Sequence, residues 1–254
     1  MPESLRGLLV DYGGLLTSPL VEATDAWLRA DGIDPQRFAE VSRRWLAADT
    51  EPNAVHDLET GRITVADFER RLAAELAARS GPEPAARCGP EPAARSGPEP
   101  AGQSAPEPPP APEPMTAAPP AAATARGTAG LIARMFAGLR PEPGMVDVVR
   151  RVREAGIRTG LLSNSWGLDY PRDGWDLLFD AVVISGEVGL RKPDPAIYAL
   201  AAQRLGLPPE EVVFVDDLAS NVRGAVAAGM VGIHHRDVDA TSDELEVLLG
   251  LSLR

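Results

Sequence analysis

Residues 211–235 read EVVFVDDLASNVRGAVAAGMVGIHH, and their pattern decides the fold. Val212 to Val215 make an unbroken apolar run, the mark of a strand covered on both faces, and two aspartates stop it. ASNVRGAVAAG then reads as a helix ended by Gly229, and MVGIHH as a further short strand. Strand, helix and strand joined by short connections make a parallel unit. Working outward, the alternation repeats: DPAIYALAAQRLG at 194–206 is a helix, DAVVIS at 180–185 a strand, IRTGLLS at 157–163 a strand, and MVDVVRRVREAG at 145–156 a helix closed by Gly156. RGLLVDY at 6–12 supplies one more strand. The expected class is α/β, a Rossmann-like parallel sheet core.

Between the first strand and this alternation the pattern changes. VEATDAWLRADG at 21–32 and PQRFAEVSRRWLAA at 35–48 repeat their apolar residues at helical spacing, and Thr64 is placed to cap VADFERRLAAEL. Residues 128–139 read as one more helix of the same unit. Residues 77–108 run AARSGPEP, AARCGPEP, AARSGPEP, AGQSAPEP, a Pro/Ala/Glu repeat of period eight, and 14 of the 25 prolines fall within 81–120. Two prolines per unit forbid helix and central strand, and so few large apolar residues cannot offset the entropy of ordering. The expected organisation is a discontinuous core over 1–18 and 141–254, an inserted helical cap over 19–79 and 127–140, and a disordered insertion at 80–126. A Pro-rich ligand for a protein partner is the one function such an insertion suggests.

Charge and composition remove several classes. The 254-residue chain carries 25 Lys plus Arg against 37 Asp plus Glu, a net of −12, which counts against nucleic acid as a partner. Its one cysteine, Cys88, permits no internal disulfide and stands where Ser80 and Ser96 stand in sibling repeats, so it reads as a drifted serine. The opening MPESLRGLLVDYGGLL loses its apolar run at Asp11, and no stretch of about 18 apolar residues follows. The expectation is a cytoplasmic protein with no membrane partner.

In open parallel sheets, ligands bind at the carboxyl ends of the strands. The first strand ends at Asp11, the second at Ser163 and Asn164, the third leads through GEVGLR to Lys192, and the fourth ends at Asp216 and Asp217. Three carboxylates on one edge repel one another unless a cation joins them. A hard, oxygen-ligated ion such as Mg²⁺ suits them, because it takes one or two carboxylates and completes its shell with water and substrate phosphate. Lys192 and the Ser163 hydroxyl can then hold phosphate oxygens. Other conspicuous residues have plainer readings: Tyr198 as a helix-core aromatic, His234 and His235 as exposed or satisfied histidines, Arg43, Arg44 and Trp45 as a solvated cap face. Glu59-Thr60-Gly61 reads equally as a plain turn and as a loop facing the site.

Asp11-Tyr-Gly-Gly-Leu-Leu, Leu-Leu-Ser163-Asn-Ser-Trp, Glu-Val-Gly-Leu-Arg-Lys192-Pro-Asp-Pro-Ala-Ile-Tyr198 and Val-Phe-Val-Asp216-Asp217-Leu-Ala-Ser-Asn221 occur in that order along the chain. Together they resemble the haloacid dehalogenase-like hydrolase superfamily, subfamily IA, and most closely the N-terminal phosphatase domain of soluble epoxide hydrolases and its stand-alone bacterial relatives. The resemblance implies a Mg²⁺-dependent phosphomonoesterase acting on a small phosphorylated metabolite, with Asp11 as nucleophile and Lys192 as catalytic partner. Ser163, Asn164 and Lys192 would bind substrate. Asp11, the Gly13 carbonyl, Asp216 and Asp217 would hold the metal, with Asn221 behind them. One departure stands out: where the family's phosphatases usually carry an aspartate as general acid-base, this chain has Gly13. Two further readings follow, a 2-haloacid dehalogenase, whose halide leaves without a proton, and a catalytically impaired regulatory protein that keeps the phosphate site.

Overall fold

The computed structural model describes residues 4–47, 53–78, 127–167 and 169–253. The insertion read at 80–126 lies outside them. Five strands form one parallel sheet in the order β3-β2-β1-β4-β5: β1 (Gly7–Val10), β2 (Arg158–Ser163), β3 (Ala181–Ile184), β4 (Val212–Asp216) and β5 (Val231–His234). Central β1 pairs with β2 through Val10 opposite Leu161 and with β4 through Val10 opposite Val215. The winding reverses between β1 and β4, and the crevice of such a sheet opens at that reversal.

Helices follow from the patterns that predict them. α1 (Leu20–Asp31), α2 (Pro35–Ala47), α3 (Ala54–Glu59), α4 (Val65–Ala77) and α5 (Leu131–Phe136) fall between β1 and β2, and α6 (Pro143–Glu154) leads into β2. Thr64 caps α4 in a reciprocal box with Asp67, accepting from the Asp67 amide at 3.1 Å. α9 (Pro195–Leu205) opens with the Asp194 side chain accepting from Ala196 N and a proline at its first position, and ends on Gly206 at φ 71°. α10 (Ala219–Ala227) joins β4 to β5. The alternation read from sequence stops at β5, whereas among the described residues the core adds α7 (Trp175–Leu178), α8 (Ser185–Val188) and α11 (Val238–Leu249), and the inserted unit adds α3. The first two are single turns, too short for a periodic signal. α11 fully buries only Leu245 among its apolar residues, leaving Val247 and Leu248 to solvent, so its stripe is faint.

Three apolar clusters organise the interior. One sheet face packs Leu8, Val10, Leu161, Val213 and Val215 against Met145, Val149 and Val152 of α6 and Leu245 of α11. The other packs Leu9, Leu162, Val183 and Phe214 against Ile197, Tyr198 and Ala201 of α9 and Ala225 of α10. The third lies among α1 to α5, around Trp27, Phe68, Leu72, Leu131 and Ile132. The two crossings between sheet and cap helices run side by side: Ser18 N donates to Arg140 O at 2.7 Å and Glu142 N to Leu16 O at 2.9 Å. Among the described residues, no helix is long and apolar enough to cross a membrane.

Candidate active site

Register sets the site. Asp11 follows Val10 on β1, and its amide donates to Val215 O at 3.0 Å, which lays it beside Asp216 at the end of β4. Lys192 arrives from the segment between α8 and α9. Its ammonium reaches Asp11 Oδ1 at 2.8 Å and Asp216 Oδ2 at 2.6 Å while the whole side chain is 1% exposed. It also lies over the Phe214 ring, 5.4 Å from the centroid. Burial pulls the lysine pKa down, but Asp11 and Asp216 together outweigh it and hold the ammonium above the ordinary lysine value. For Asp11 burial wins over the attraction of Lys192, and with Asp216 adding repulsion its carboxyl is pushed up to about 7. Asp217, half-buried, rises to about 6 through burial and then Asp216.

The three carboxylates do not have the same freedom. Asp216 is spent inward: Oδ1 accepts from Leu218 N at 2.8 Å and Asn221 Nδ2 at 3.0 Å, while Oδ2 accepts from Lys192 and, at 3.1 Å, from the same Asn221 amide. Asn221 thus stands behind Asp216, the place the family resemblance implies for it. Asp11, Asp216 and Asp217 each bring an oxygen within 4.8 Å of the others. Beside them Gly14 sits at φ 75°, and a Cβ there would collide with the Asp217 carboxylate, so the backbone leaves the acids a cradle. An all-oxygen donor set of this kind fits a hard divalent cation.

A family model for haloacid dehalogenase-like hydrolases matches residues 5–229. The chain belongs to this family. It is 36% identical over 116 residues to the glyceraldehyde 3-phosphate phosphatase of Methanopyrus kandleri, a match covering 42% of this chain and 50% of that one. It is 34% identical over 117 residues to bifunctional epoxide hydrolase 2 of Sus scrofa, covering 43% and 21%. The curated relatives first in similarity are thus spanned only in part, one of them to 11%. A Bacteroides thetaiotaomicron enzyme of the family, solved with magnesium and inorganic phosphate, shares the fold at TM-score 0.52 and 17% identity, over 92% of this chain and 95% of that one.

The structure places the hydrolase's other predicted residues as follows. Ser163, 3% exposed, closes β2, and its Oγ lies 3.0 Å from the Tyr170 hydroxyl. Asn164, expected to bind substrate, places both ends of its amide on the Lys192 backbone: Oδ1 accepts from Lys192 N at 2.9 Å and Nδ2 donates to Lys192 O at 3.1 Å. These two bonds hold the Lys192 backbone in place. Tyr198 is core, its buried hydroxyl donating to Asn221 O at 2.7 Å. His234 is exposed with Nε2 3.0 Å from Asp217 O, and His235 Nδ1 lies 2.8 Å from Thr241 Oγ1. Arg44 pairs with Glu75, and Trp45 packs edge-on against Phe68.

The turn at Glu59 resolves toward the site. Glu59 is 5% exposed, accepts from Arg191 Nε at 2.6 Å and from Asn164 Nδ2 at 3.4 Å, and its carbonyl accepts from Ser185 Oγ at 2.5 Å. Burial pushes this carboxyl up, against the pull of Arg191 and then Lys192. Gly61, at φ 71°, passes so close to Gly186 that a Cβ would lie 2.8 Å from its carbonyl oxygen. Beyond this contact a cavity of about 820 Å³ opens between cap and core, lined among others by Leu58, Ile63, Val65, Ser165, Tyr170 and Gly186. It adjoins the Asp11 edge without including it. Sequence reading does not single out Tyr170 or Arg191, because both lie in loops where no periodicity marks which way a side chain points.

Proposed function

We propose that this hydrolase is a Mg²⁺-dependent phosphomonoesterase of a small phosphorylated metabolite, working through an aspartyl phosphate on Asp11. The observation that carries the reading is the buried Lys192 ammonium, shared between Asp11 and Asp216 at the mouth of an all-oxygen acid cluster. Two of its three hydrogens hold carboxylates, and the third is available to a phosphoryl oxygen. With Oδ1 held by Lys192, Oδ2 of Asp11 attacks phosphorus in line with the leaving oxygen, and water then attacks the aspartyl phosphate to release inorganic phosphate. Asp11, Asp217 and the Gly13 carbonyl would hold the metal, with Asp216 and Asn221 bracing the set from behind. When bound, Mg²⁺ supplies positive charge that joins the acids and offsets charge on the phosphoryl oxygens. Asn164 orients Lys192, and Ser163 adds a hydroxyl to the same edge. The phosphatases among the relatives support the same reaction class.

Release of inorganic phosphate from a panel of alkyl and aryl phosphates, with and without Mg²⁺, tests this. Turnover should require the metal and fall at least ~10³-fold in Asp11→Asn, whose amide is nearly isosteric but cannot attack. Metal-independent release of halide from a 2-haloacid, with no phosphate release, would establish the dehalogenase reading instead. Gly13 favours one other reading, a phosphate-binding regulator without turnover, and phosphate binding by a chain that hydrolyses no ester would select it.

A further inference from the structure

Gly13 has no side chain with which to protonate a leaving alkoxide, yet a phenol stands at the same edge. We propose that Tyr170 is the proton donor to the leaving oxygen, an inference that rests on the phosphomonoesterase reading and supplies its missing acid.

Four observations converge on this residue. Its hydroxyl lies 3.0 Å from Ser163 Oγ at the end of β2, one strand over from Asp11. Its ring is fixed from two sides, edge-on to Tyr12 at 5.0 Å and to Trp175 at 5.7 Å, and Tyr12 is the residue between Asp11 and Gly13. The ring also lines the cavity between cap and core, the space open to a leaving group directed away from Asp11. Burial raises the phenol pKa, so it is protonated at neutral pH, and the charges of Asp11 and Lys192 both reach it, the first raising and the second lowering. Among the described residues, the acids and the other phenol nearest the site are committed elsewhere or exposed. Glu59 is bound by Arg191 and Asn164, and the Tyr198 hydroxyl is buried against Asn221 O. Asp169, Asp173 and Glu187 stand at the exposed rim of the cavity.

The step balances. As the bond from Asp11 Oδ2 to phosphorus forms and the ester P–O bond breaks, the Tyr170 proton passes to the leaving oxygen and an alcohol departs. The single hydrogen of Ser163 is then donated to the tyrosinate oxygen. In the second half a water oxygen attacks phosphorus, its proton returns to Tyr170, and the bond from phosphorus to Asp11 breaks. Free phosphate and the starting enzyme result.

Tyr170→Phe removes the hydroxyl and keeps the ring packed between Tyr12 and Trp175. Steady-state kcat is measured with Mg²⁺ for wild type and variant on glycerol phosphate and related alkyl phosphates, and on 4-nitrophenyl phosphate, with circular dichroism and melting as controls on the fold. A nitrophenolate leaves without a proton, so the variant should lose ~10²-fold or more on alkyl phosphates and stay within about threefold on the aryl ester. A plot of log kcat against leaving-group pKa should steepen accordingly. Equal losses on both classes would make Tyr170 a structural or positioning residue and overturn the proposal, as would no loss on either. A wild type that hydrolyses 4-nitrophenyl phosphate and no alkyl phosphate also overturns it. A wild type inactive on every ester is a different result, because there the phosphomonoesterase reading itself fails.

Discussion

Gly14 and Gly13 are neighbours held by opposite constraints. At Gly14 the left-handed backbone and the adjacent Asp217 carboxylate leave no room for a Cβ. Gly13 has no such conformation, and a Cβ there would meet only Leu20 Cδ1 at 3.4 Å, ordinary contact. Position 13 can therefore accept an aspartate without backbone strain. Gly13→Asp placed in the Tyr170→Phe background should restore alkyl phosphate turnover at least ~10-fold and change 4-nitrophenyl phosphate little, because only the former needs a donated proton. A natively folded double variant in which both substrates respond by the same factor would show that position 13 does not reach the leaving oxygen. The acids make a separate prediction. Protons and Mg²⁺ compete for the same oxygens, and only the deprotonated carboxylate binds metal. With Asp11 pushed up to about 7 and Asp217 to about 6, Mg²⁺ affinity should weaken as pH falls through 7, by up to about tenfold per unit, and more steeply below 6. Calorimetric titration from pH 8 to 5.5 reads this directly, and a flat profile would show that these carboxylates are not the ligands.

At the scale of elements, the Lys192 segment is the one most in need of external support, since it enters the site from a loop and not from a strand end. Asn164 supplies that support by closing on both backbone polar groups of Lys192, joining the loop after β2 to the loop before α9. Asn164→Ala leaves both groups without that partner, and an unmet buried polar group costs about 1–3 kcal/mol. The variant should melt several degrees lower and lose kcat more than KM, because Lys192 would no longer be held against Asp11. Thermal melts and steady-state kinetics check this, and a variant with unchanged kcat and raised KM would assign Asn164 to substrate binding. The same residue shows where sequence reading succeeds and stops. Apolar runs ended by Asp11, Ser163 and Asp216 mark strands and so place all three residues on one edge before any contact is known. Periodicity also yields α6 and α9, which bury clear stripes. It does not say what the Asn164 amide touches, nor that Glu59 reaches back from the cap to Arg191. Those facts depend on side-chain direction across elements far apart in sequence, and a single chain carries no local signal for it.

For the whole molecule, the question is how α1 to α5 hold together when a long Pro-rich repeat interrupts their sequence. The cap re-anchors its chain immediately after the repeat. Glu69 of α4, 6% exposed, accepts from Gly130 N and Ile132 N at 2.9 Å each. Arg134 holds the Gly127 carbonyl at 3.0 Å and the buried Asp31 of α1 at 2.8 Å. These contacts tie α5 to α1 and α4 through residues outside 80–126, and among the described residues α1 to α5 pack together in the cluster around Trp27, Phe68 and Leu131. The composition of 80–126 gives it little apolar surface to add. Replacing it with a flexible Gly-Ser linker should therefore leave the melting temperature within about 5 °C, on the order of 1 kcal/mol for a domain of this size or smaller, and leave Mg²⁺ affinity and kcat little changed. The loop-length term itself is small, since each halving of a flexible loop is worth only about 0.6 kcal/mol. Calorimetry and phosphate release on the shortened chain measure both properties. A larger fall in melting temperature with kcat retained would place the repeat against the cap as a packed element. A fall in kcat at unchanged stability would show instead that it governs how the cap closes over Asp11.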